Sequence, residues 1–345
     1  MELTNIEKFT QKLLRDQLNS EGETLFGEYL HERAYLFDNL LEEIKNSFPD
    51  GTDHGPRHIV NVLNNADRLL DVESLQRGND KSTDELCSLH WLCLISSILY
   101  HDVGNVIDRK DHQHKVEEIY NKVWGQKAKN RMQHRDLIRL ITRAHCGTAL
   151  DGSSDTLKEV SNKVPFRGKP IRAQELSAII RLADELAEGE QRTSLYRLES
   201  GGYSAESIVY HEYAKATHVT IDKSSRRIAL TYYINVERGE DGEISDEPKL
   251  RKLIEFIFHR IQKLDEERQY TRHYTGFLDS FKETSIAMNF SVNGSMTSIG
   301  LSELVITDLK IPGAMRPRIA EINSAYDVDR IVNALKSEIT EKTTL

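Results

Sequence analysis

The 345-residue sequence has few cysteines, few prolines and no long hydrophobic run. Its three cysteines, Cys87, Cys93 and Cys146, are odd in number and lack CxxC spacing. A disulfide framework is therefore not expected, and the simplest compartment is a reducing cytoplasm. The longest apolar run, Leu89–Tyr100, contains two serines and is shorter than the about 20 residues of a membrane span. We expect a globular chain with no membrane partner and no signal-peptide core at its N-terminus.

The sequence also lacks an excess of positive charge. Lys and Arg number 46 against 55 Asp and Glu, which gives a formal net charge of −9. Nucleic-acid coats need a basic surface, and this sequence has no stripe of interleaved aromatic and basic residues. Stable nucleic-acid binding and nuclease function are therefore disfavoured, whereas a local basic pocket for a small anion fits the composition. The oligomeric state stays open, a homo-oligomer included.

Hydrophobic periodicity predicts helices from residue 5 to about residue 200. The segment Thr52–Pro56 is a helix-start signal with proline at the first helical position. A helix over Asp84–Tyr100 is apolar nearly all round, which places it at the centre of the fold. Another helix is expected to begin near His112. Residues 1–50 are interpreted as helices that pack on this core.

The pattern changes after Gly201-Gly202. The segments His218–Asp222 and Arg226–Val236 alternate between apolar and polar residues and predict a β-hairpin. A long helix, two further β-like pieces and a last helix are predicted over Pro248–Tyr270, Ser285–Val292, Leu301–Ile306 and 328–339. The predicted fold class is mainly α, with a helical domain over residues 51–200 and a smaller α+β extension over 201–345.

Several polar residues lie where helices should bury apolar surface. His58 is on the edge of one apolar face, and His101-Asp102 ends the most apolar helix. His145 and Asp184 lie on the inner faces of two later helices. Burying an imidazole or a carboxylate without a partner is costly. A shared metal ion would satisfy them all, and imidazole with carboxylate suits Mn, Fe, Co or Ni, or Mg with more water.

In this order, His58, His101-Asp102 and Asp184 resemble the H…HD…D signature of the HD-domain metal-dependent phosphohydrolases. The surrounding strings HGPRHIVNVL, LISSILYHDVGN and AIIRLADELAEG fit it too, and the resemblance covers about residues 50–190. It implies an HD-domain helical bundle in which these four residues bind a divalent metal. Asp102 would be the bridge if there are two ions.

Many dinuclear members of this family add two histidines between the HD pair and the last Asp. Here they would be His112 and His145, although His114 competes with His112. We prefer His112, because apolar residues at +4, +7, +8 and +11 continue its helix face. The alternatives are that His112 and His114 are solvated loop residues and that His145 is a core histidine. His134 shares the face of His145 and is interpreted as core.

The spacing His54-Gly-Pro-Arg-His58 resembles the HNxxH segment of cyclic-nucleotide phosphodiesterases. That resemblance implies that His54 donates a proton to the leaving oxygen, which suits an imidazole near neutral pKa. The alternative is that His54 only packs at the helix start, and His112 is a second candidate for the acid. The rest of the phosphodiesterase pattern is missing. The HDxxH string of dGTP triphosphohydrolases is missing too, because Asn105 stands at its second histidine.

Basic residues accompany the motif histidines. One group recurs every four residues along a predicted helix and is either an ion-pair surface or a guide for phosphate: Arg131, Arg135, Arg139 and Arg143. The residues predicted to contact substrate phosphate flank the motif or end this stripe: Arg57, Arg109, Lys110, Lys115 and Arg143.

These features predict a metal-dependent phosphohydrolase with one or two divalent ions and a nucleotide substrate. A (deoxy)nucleoside triphosphate triphosphohydrolase is the first choice, because the basic residues exceed what a cyclic monophosphate requires. The alternatives are a cyclic or linear nucleotide phosphodiesterase and, in another class, a nucleotide-sensing HD module without catalysis. The complete ligand set argues against the sensing module. HD proteins with an α+β extension are found among bacterial nucleotide hydrolases and antiviral defence systems. The resemblance therefore implies a role in bacterial antiviral defence as one expectation for this protein.

Overall fold

The protein is described by a computed structural model that covers residues 2–77, 86–308 and 317–341. The chain divides into two compact units, Met1–Ala187 with Tyr270–Asp279, and Glu188–Gln269 with Ser280–Leu345. Helices dominate the first unit, and the second combines helices with a sheet. The predicted fold class, a helical bundle followed by a smaller α+β extension, is confirmed.

The helices of the first unit are, in chain order, α1 (Asn5–Leu18), α2 (Ser20–Asn39), α3 (Leu41–Ser47), α4 (Pro56–Leu70), α5 (Val72–Gln76), α6 (Ser88–Tyr100), α7 (Val116–Trp124), α8 (Met132–Arg143) and α9 (Ala173–Glu185). Asn19 separates α1 from α2, as the C-cap of the first helix and the N-cap of the second. Pro56 is the first residue of α4, as predicted, because its fixed φ suits that position. The start of the predicted Asp84–Tyr100 helix lies outside the described residues.

Helix α6 occupies the centre of the first unit. Every residue from Ser88 to Tyr100 is buried. A helix that is apolar on all sides is stable only when other elements surround it, which explains why its periodicity is weak. His101 and Asp102, which follow directly, are therefore buried as well.

A short hairpin interrupts the helices, contrary to the all-helical prediction for this part of the chain. Strands β1 (Val164–Phe166) and β2 (Lys169–Ile171) pair in antiparallel register. Arg167 and Gly168 join them with φ angles of +48° and +75°. Two positive φ angles are typical of the tight turns that match strand twist. The strands were missed because three residues are too few for a periodic signal.

The second unit contains α10 (Leu195–Glu199), α11 (Ile208–Ala216), β3 (Thr217–Asp222), β4 (Arg227–Val236), most of α12 (Glu247–Tyr274), β5 (Glu283–Val292), β6 (Ser295–Thr297), β7 (Leu304–Thr307), α13 (Ile319–Ile322) and α14 (Val328–Glu341). β3 and β4 form the predicted hairpin. β4 and β5 pair in parallel, which requires a long crossover connection, and α12 lies in it. β6 and β7 pair antiparallel with different parts of β5.

Candidate metal centre

Side chains from five separate segments of the first unit meet at one buried cluster. His54 precedes α4, and His58 lies in its first turn. His101 and Asp102 follow the central helix α6. A 3-10 turn supplies His112, and the residues that follow α8 supply His145 and Cys146. The last turn of α9 supplies Asp184.

The H…HD…D residues form the first group of the cluster. The Nε2 atom of His58 lies 3.1 Å from Oδ1 of Asp184, 3.2 Å from Oδ2 of Asp102 and 3.3 Å from Nε2 of His101. His101 Nε2 lies 3.5 Å from Asp102 Oδ2 and 3.6 Å from Asp184 Oδ1. His58 and His101 are buried, whereas the Asp184 side chain is 25% exposed. These four donor atoms lie close enough together to hold one metal ion.

A second group of residues surrounds Oδ1 of Asp102, whereas the first group contacts Oδ2. The Nε2 atoms of His112 and His145 are 3.2 Å apart, and they lie 3.3 and 3.6 Å from Asp102 Oδ1. The Sγ atom of Cys146 is 3.4 Å from Nε2 of His112. His112, His145 and Cys146 could also hold a metal ion.

Backbone carbonyls orient the rings of three histidines. The Nδ1–H groups of His101, His112 and His145 donate to the carbonyl oxygens of residues 98, 109 and 142, at 2.8, 3.0 and 2.6 Å. In a neutral ring this hydrogen bond selects the tautomer whose Nε2 carries a lone pair. All three lone pairs then point into the cluster, which is the arrangement that metal-binding histidines adopt.

Asp102 is oriented from several sides. The side-chain amide of Asn105 donates to its Oδ1 at 3.0 Å, and Nδ1–H of His54 donates to its Oδ2 at 2.7 Å. Burial works against ionisation of Asp102, but the positive field of His101 and His54 and hydrogen bonds from His112 and His145 outweigh it. The pKa of Asp102 is therefore held well below its ordinary value. The carboxylate stays ionised at neutral pH.

The other acidic groups of the cluster respond in the same way. Burial again opposes ionisation of Asp184, but hydrogen bonds from His101 and His58 hold its pKa well below the ordinary value. Burial would raise the pKa of the Cys146 thiol, but the charge of His145 and the hydrogen bond from His112 lower it to about 6. The cluster therefore combines anionic oxygen and sulfur with imidazole nitrogen, which is a metal-ligating set.

The histidines of the second group bind protons readily when no cation is present. Burial lowers the pKa of His112, but the hydrogen bond to Asp102 outweighs it and raises the pKa to about 10. His145 shows the same balance, with burial opposed chiefly by Cys146 and Asp102, and its pKa is raised well above the ordinary value. Positive charge is therefore stabilised strongly at this point, whether a proton or a metal ion supplies it.

His112 reaches the cluster by a route that differs from the predicted one. The helix expected to begin near His112 begins at Val116, and His112–His114 is a separate 3-10 turn. This turn lies so close to Gly104 that a Cβ atom there would overlap the carbonyl group of His112. The structure brings His112 to Asp102 and leaves His114 exposed, so the preferred histidine is the one in the cluster, although the helical register used to choose it was wrong.

The basic residues take different positions. The stripe along α8 forms ion pairs: Arg131 with Glu28, Arg135 and Arg139 with Glu117, and Arg143 with Glu159. The ion-pair interpretation of this stripe is therefore correct. The residues that flank the motif are exposed or half-buried: Arg57, Arg109, Lys110 and Lys115.

Sequence reasoning missed two members of the cluster. Asn105 was noted only because it breaks the HDxxH string, yet its amide holds Asp102. Its position three residues after Asp102, within one turn, is a signal that could have indicated this contact. Cys146 was considered only as a disulfide candidate. The sequence shows that Cys146 follows His145, but it does not show that the Cys146 side chain points into the cluster.

The spacing of the donor atoms suits a first-row metal ion. Bonds of about 2.1 Å place neighbouring ligand atoms about 3.0–3.4 Å apart. The contacts that His58 Nε2 makes within its group, 3.1–3.3 Å, match this spacing. A shared cation would also relieve the close approach of ring nitrogens that would otherwise present lone pairs to each other.

The helical fold and this buried His/Asp cluster define an HD-type domain with a site that can hold a metal ion, which indicates a metal-dependent hydrolase. The HD-CE family model matches residues 48–263, more than half of the chain, and the protein therefore belongs to the HD-CE family. No curated protein and no solved structure gives a significant match. In the part of the chain that the structure describes, no helix has the length and apolarity to cross a membrane.

Proposed function

We propose that this protein is a metal-dependent phosphohydrolase that acts on nucleotides at a centre of two divalent ions. The observation that carries the proposal is the division of the Asp102 carboxylate, whose Oδ2 lies 3.2 Å from His58 and whose Oδ1 lies 3.3 Å from His112. A carboxylate placed in this way suits a bridge between two ions. His58, His101 and Asp184 would hold the first ion, and His112 and His145 the second.

The chemistry that two ions supply to phosphate hydrolysis is stabilisation of charge on the phosphoryl oxygens and activation of water for in-line attack. The contribution of the protein is to hold the ligands in place. Asn105 and His54 orient the Asp102 carboxylate through bonds of 3.0 and 2.7 Å. Backbone carbonyls orient three of the histidine rings, so little reorganisation is needed when ions and substrate bind.

His54 is our candidate for the general acid. Its side chain is 21% exposed, and its Nδ1–H donates to Asp102, so Nε2 is the atom that would carry a proton to the leaving oxygen. His112 is less suited to this role, because both of its ring nitrogens are engaged. Its Nε2 contacts Nε2 of His145 within the second group, and its Nδ1–H donates to the Arg109 carbonyl. A positioned general acid typically contributes about 10²–10⁴-fold to the rate.

The positive charge near the cluster favours a nucleoside triphosphate as the substrate, and the deoxy form is our first choice. Arg57 follows the cluster residue His54 by three positions, and Arg109 and Lys110 precede His112; all three are exposed. A charge-assisted hydrogen bond to phosphate contributes about 1.5–3 kcal/mol. Arg143 ranks behind them, because Glu159 already pairs with it at 3.1 Å. Cleavage at the α-phosphate would release triphosphate.

A cyclic or linear nucleotide phosphodiesterase is the second candidate. The observation that favours it is the 2.7 Å contact between His54 and Asp102, because a general acid fixed beside the metal ligands serves the poor leaving group of a phosphodiester. The two candidates differ in product. One releases nucleoside and triphosphate, and the other releases a nucleoside monophosphate.

The test is to incubate the purified protein with separate dNTPs, NTPs and cyclic mono- and dinucleotides, each in the presence of Mn²⁺, Mg²⁺, Zn²⁺ or Fe²⁺, and to identify the products by mass. We expect triphosphate and deoxynucleoside, and no product from Asp102→Asn. Turnover of cyclic substrates alone would favour the phosphodiesterase. Nucleotide binding without turnover under any metal would instead favour a sensing module and contradict the proposal.

A further inference from the structure

Cys146 is a member of the cluster that the H…HD…D pattern does not contain. Its Sγ atom lies 3.4 Å from Nε2 of His112, and the donor atoms of His112, His145 and Cys146 all lie within 4.8 Å of one another. The other cysteines are placed differently: Cys93 is buried within α6, and Cys87 caps its start. Two imidazole nitrogens and a sulfur atom therefore converge on one point.

The segment that carries Cys146 is held firmly. The carbonyl oxygen of Ala144 accepts hydrogen bonds from the hydroxyl of Thr156 at 2.7 Å and from the guanidinium of Arg181 at 3.3 Å. The next residue, His145, is fixed by its ring bond to Thr142. Donor atoms that are fixed before an ion arrives are typical of built metal sites.

The chain also turns sharply after Cys146. Gly147 has a φ of +86°, which residues with a Cβ rarely adopt, and a Cβ atom there would lie 3.1 Å from the side-chain amide of Gln113. The oxygen of the same amide lies 3.9 Å from Sγ of Cys146. Gln113 belongs to the 3-10 turn that carries His112, so the turn and the segment after α8 meet around the sulfur atom.

We propose that Cys146 is a thiolate ligand of the second metal position and makes that position selective for Zn²⁺ or Fe²⁺ over Mg²⁺ and Mn²⁺. The donor set would be two imidazole nitrogens, one thiolate sulfur and Oδ1 of Asp102, which lies 3.3 Å from His112 and 3.6 Å from His145. Thiolate is a soft ligand that Zn²⁺ and Fe²⁺ accept, whereas Mg²⁺ and Mn²⁺ prefer oxygen. The first position, with two imidazoles and two carboxylates, has no such restriction. This inference rests on the two-ion centre of the proposed function.

The test uses Co²⁺ as a spectroscopic substitute for Zn²⁺. Titration of the metal-free protein should produce a near-ultraviolet thiolate-to-Co²⁺ charge-transfer band that saturates with the second ion bound. Cys146→Ser should lose this band and keep binding of one ion, and its affinity for the second Zn²⁺ should fall on the order of 100-fold. Cys87→Ser is the matched control and should keep both the band and the affinity.

A second measurement needs no variant. Alkylation of Cys146 by iodoacetamide, followed by peptide mass spectrometry, should slow at least about tenfold when Zn²⁺ is bound at two equivalents, since a coordinated thiolate is a poor nucleophile. Mg²⁺ should not protect it.

The outcomes separate this inference from the proposed function. Two bound ions and nucleotide hydrolysis without a thiolate band, and without protection of Cys146, would overturn the inference and leave the proposed function standing. Binding of one ion only, with Cys146 unprotected, would overturn it too. Absence of metal binding altogether would overturn both.

Discussion

His112 and His145 face each other through Nε2 atoms that are 3.2 Å apart, while each donates its Nδ1–H to a backbone carbonyl. Two neutral rings in this tautomer present lone pairs to each other, which is unfavourable at such a distance. A proton or a cation between them removes the repulsion, and Asp102, beside both rings, stabilises either one. We therefore expect a cation, either a proton or a metal ion, between these two rings.

Replacing Asp102 with asparagine should abolish hydrolysis and strongly weaken metal binding. The amide is nearly the same size but supplies neither negative charge nor two equivalent oxygens, so both proposed ions lose a ligand. We expect turnover to fall by at least about 100-fold. Metal content measured by elemental analysis and product formation from a nucleotide panel check this. Asp136→Asn, on the exposed side of α8, should change neither quantity. Full metal occupancy and turnover in Asp102→Asn would show that the HD interpretation of the site is wrong.

His112 and His114 form a matched pair on one turn. His112→Ala should remove one bound ion and reduce turnover on the order of 100-fold, because its Nε2 lies among the donor atoms of the second group. His114→Ala should be nearly neutral, since that side chain is exposed. Metal stoichiometry and kcat measured on both variants decide between them. Reversed effects would mean that the turn presents the other histidine in solution.

His145→Ala should behave like His112→Ala, with at least one ion retained and turnover reduced strongly. Its Nε2 lies 3.6 Å from Oδ1 of Asp102 and takes no part in the first group. Calorimetric titration with Mn²⁺ and with Zn²⁺ would count the ions that remain. Wild-type activity in this variant would point to a centre with one ion.

The proposed role of His54 predicts a dependence on the leaving group. His54→Ala should keep both ions, because no donor atom of either group is lost, but should slow nucleotide hydrolysis by about 10²–10⁴-fold. A p-nitrophenyl phosphodiester has a leaving group that needs little protonation, and its hydrolysis should fall far less. Equal losses of kcat with both substrates would contradict the acid role and leave His54 as a residue that orients Asp102.

Gly104 should be required for the second group, because a Cβ at this position would overlap the carbonyl of His112. Gly104→Ala must therefore displace the turn, and we expect loss of the second ion with retention of the first. Gly27→Ala is the control. It lies in α2 with open space around it and should be neutral or stabilising by about 1 kcal/mol. Unchanged binding of two ions in Gly104→Ala would show that the turn can move without cost.

Glu32 should make stability depend on pH. Burial raises its pKa to about 8, against the hydrogen bond from Trp124 and the charge of Arg131, which lower it. The folded state thus keeps a proton that the unfolded state releases near pH 4.5. Stability should therefore fall as pH rises from about 5 to 8.5, because the folded state binds more protons over that range. His134, whose pKa burial lowers to about 3, stays neutral throughout.

Glu32→Gln should remove the part of this slope that Glu32 contributes. Relative to the wild type, the variant should gain on the order of 3 kcal/mol between pH 5 and pH 8.5. Denaturant unfolding followed by tryptophan fluorescence measures it, and both tryptophans, Trp91 and Trp124, lie in the first unit. Glu42→Gln, an exposed change on α3, should keep the wild-type slope. Parallel slopes for the wild type and Glu32→Gln would contradict a protonated Glu32 at neutral pH.

Local sequence was sufficient to predict the main helices, the β3–β4 hairpin and the polar residues on apolar helix faces. His58 and Asp184 could be recognised because each is a polar residue at the apolar face of a helix, and His101 and Asp102 because they directly follow the most apolar helix. A buried imidazole or carboxylate requires a polar or charged partner. Because all four residues have this requirement, a common site can be predicted before any contact between them is known.

Tertiary structure alone decided how the second group forms. His112 lies on a 3-10 turn with no periodicity to read, and its approach to Asp102 depends on contact with Gly104. Cys146 follows α8, where the backbone leaves helical geometry and side-chain direction no longer follows from spacing. The spacing of apolar residues within one helix determines which of its side chains are buried, and this spacing can be read from the sequence. Which atoms from separate segments meet, and whether sulfur joins nitrogen and oxygen there, depends on long-range packing.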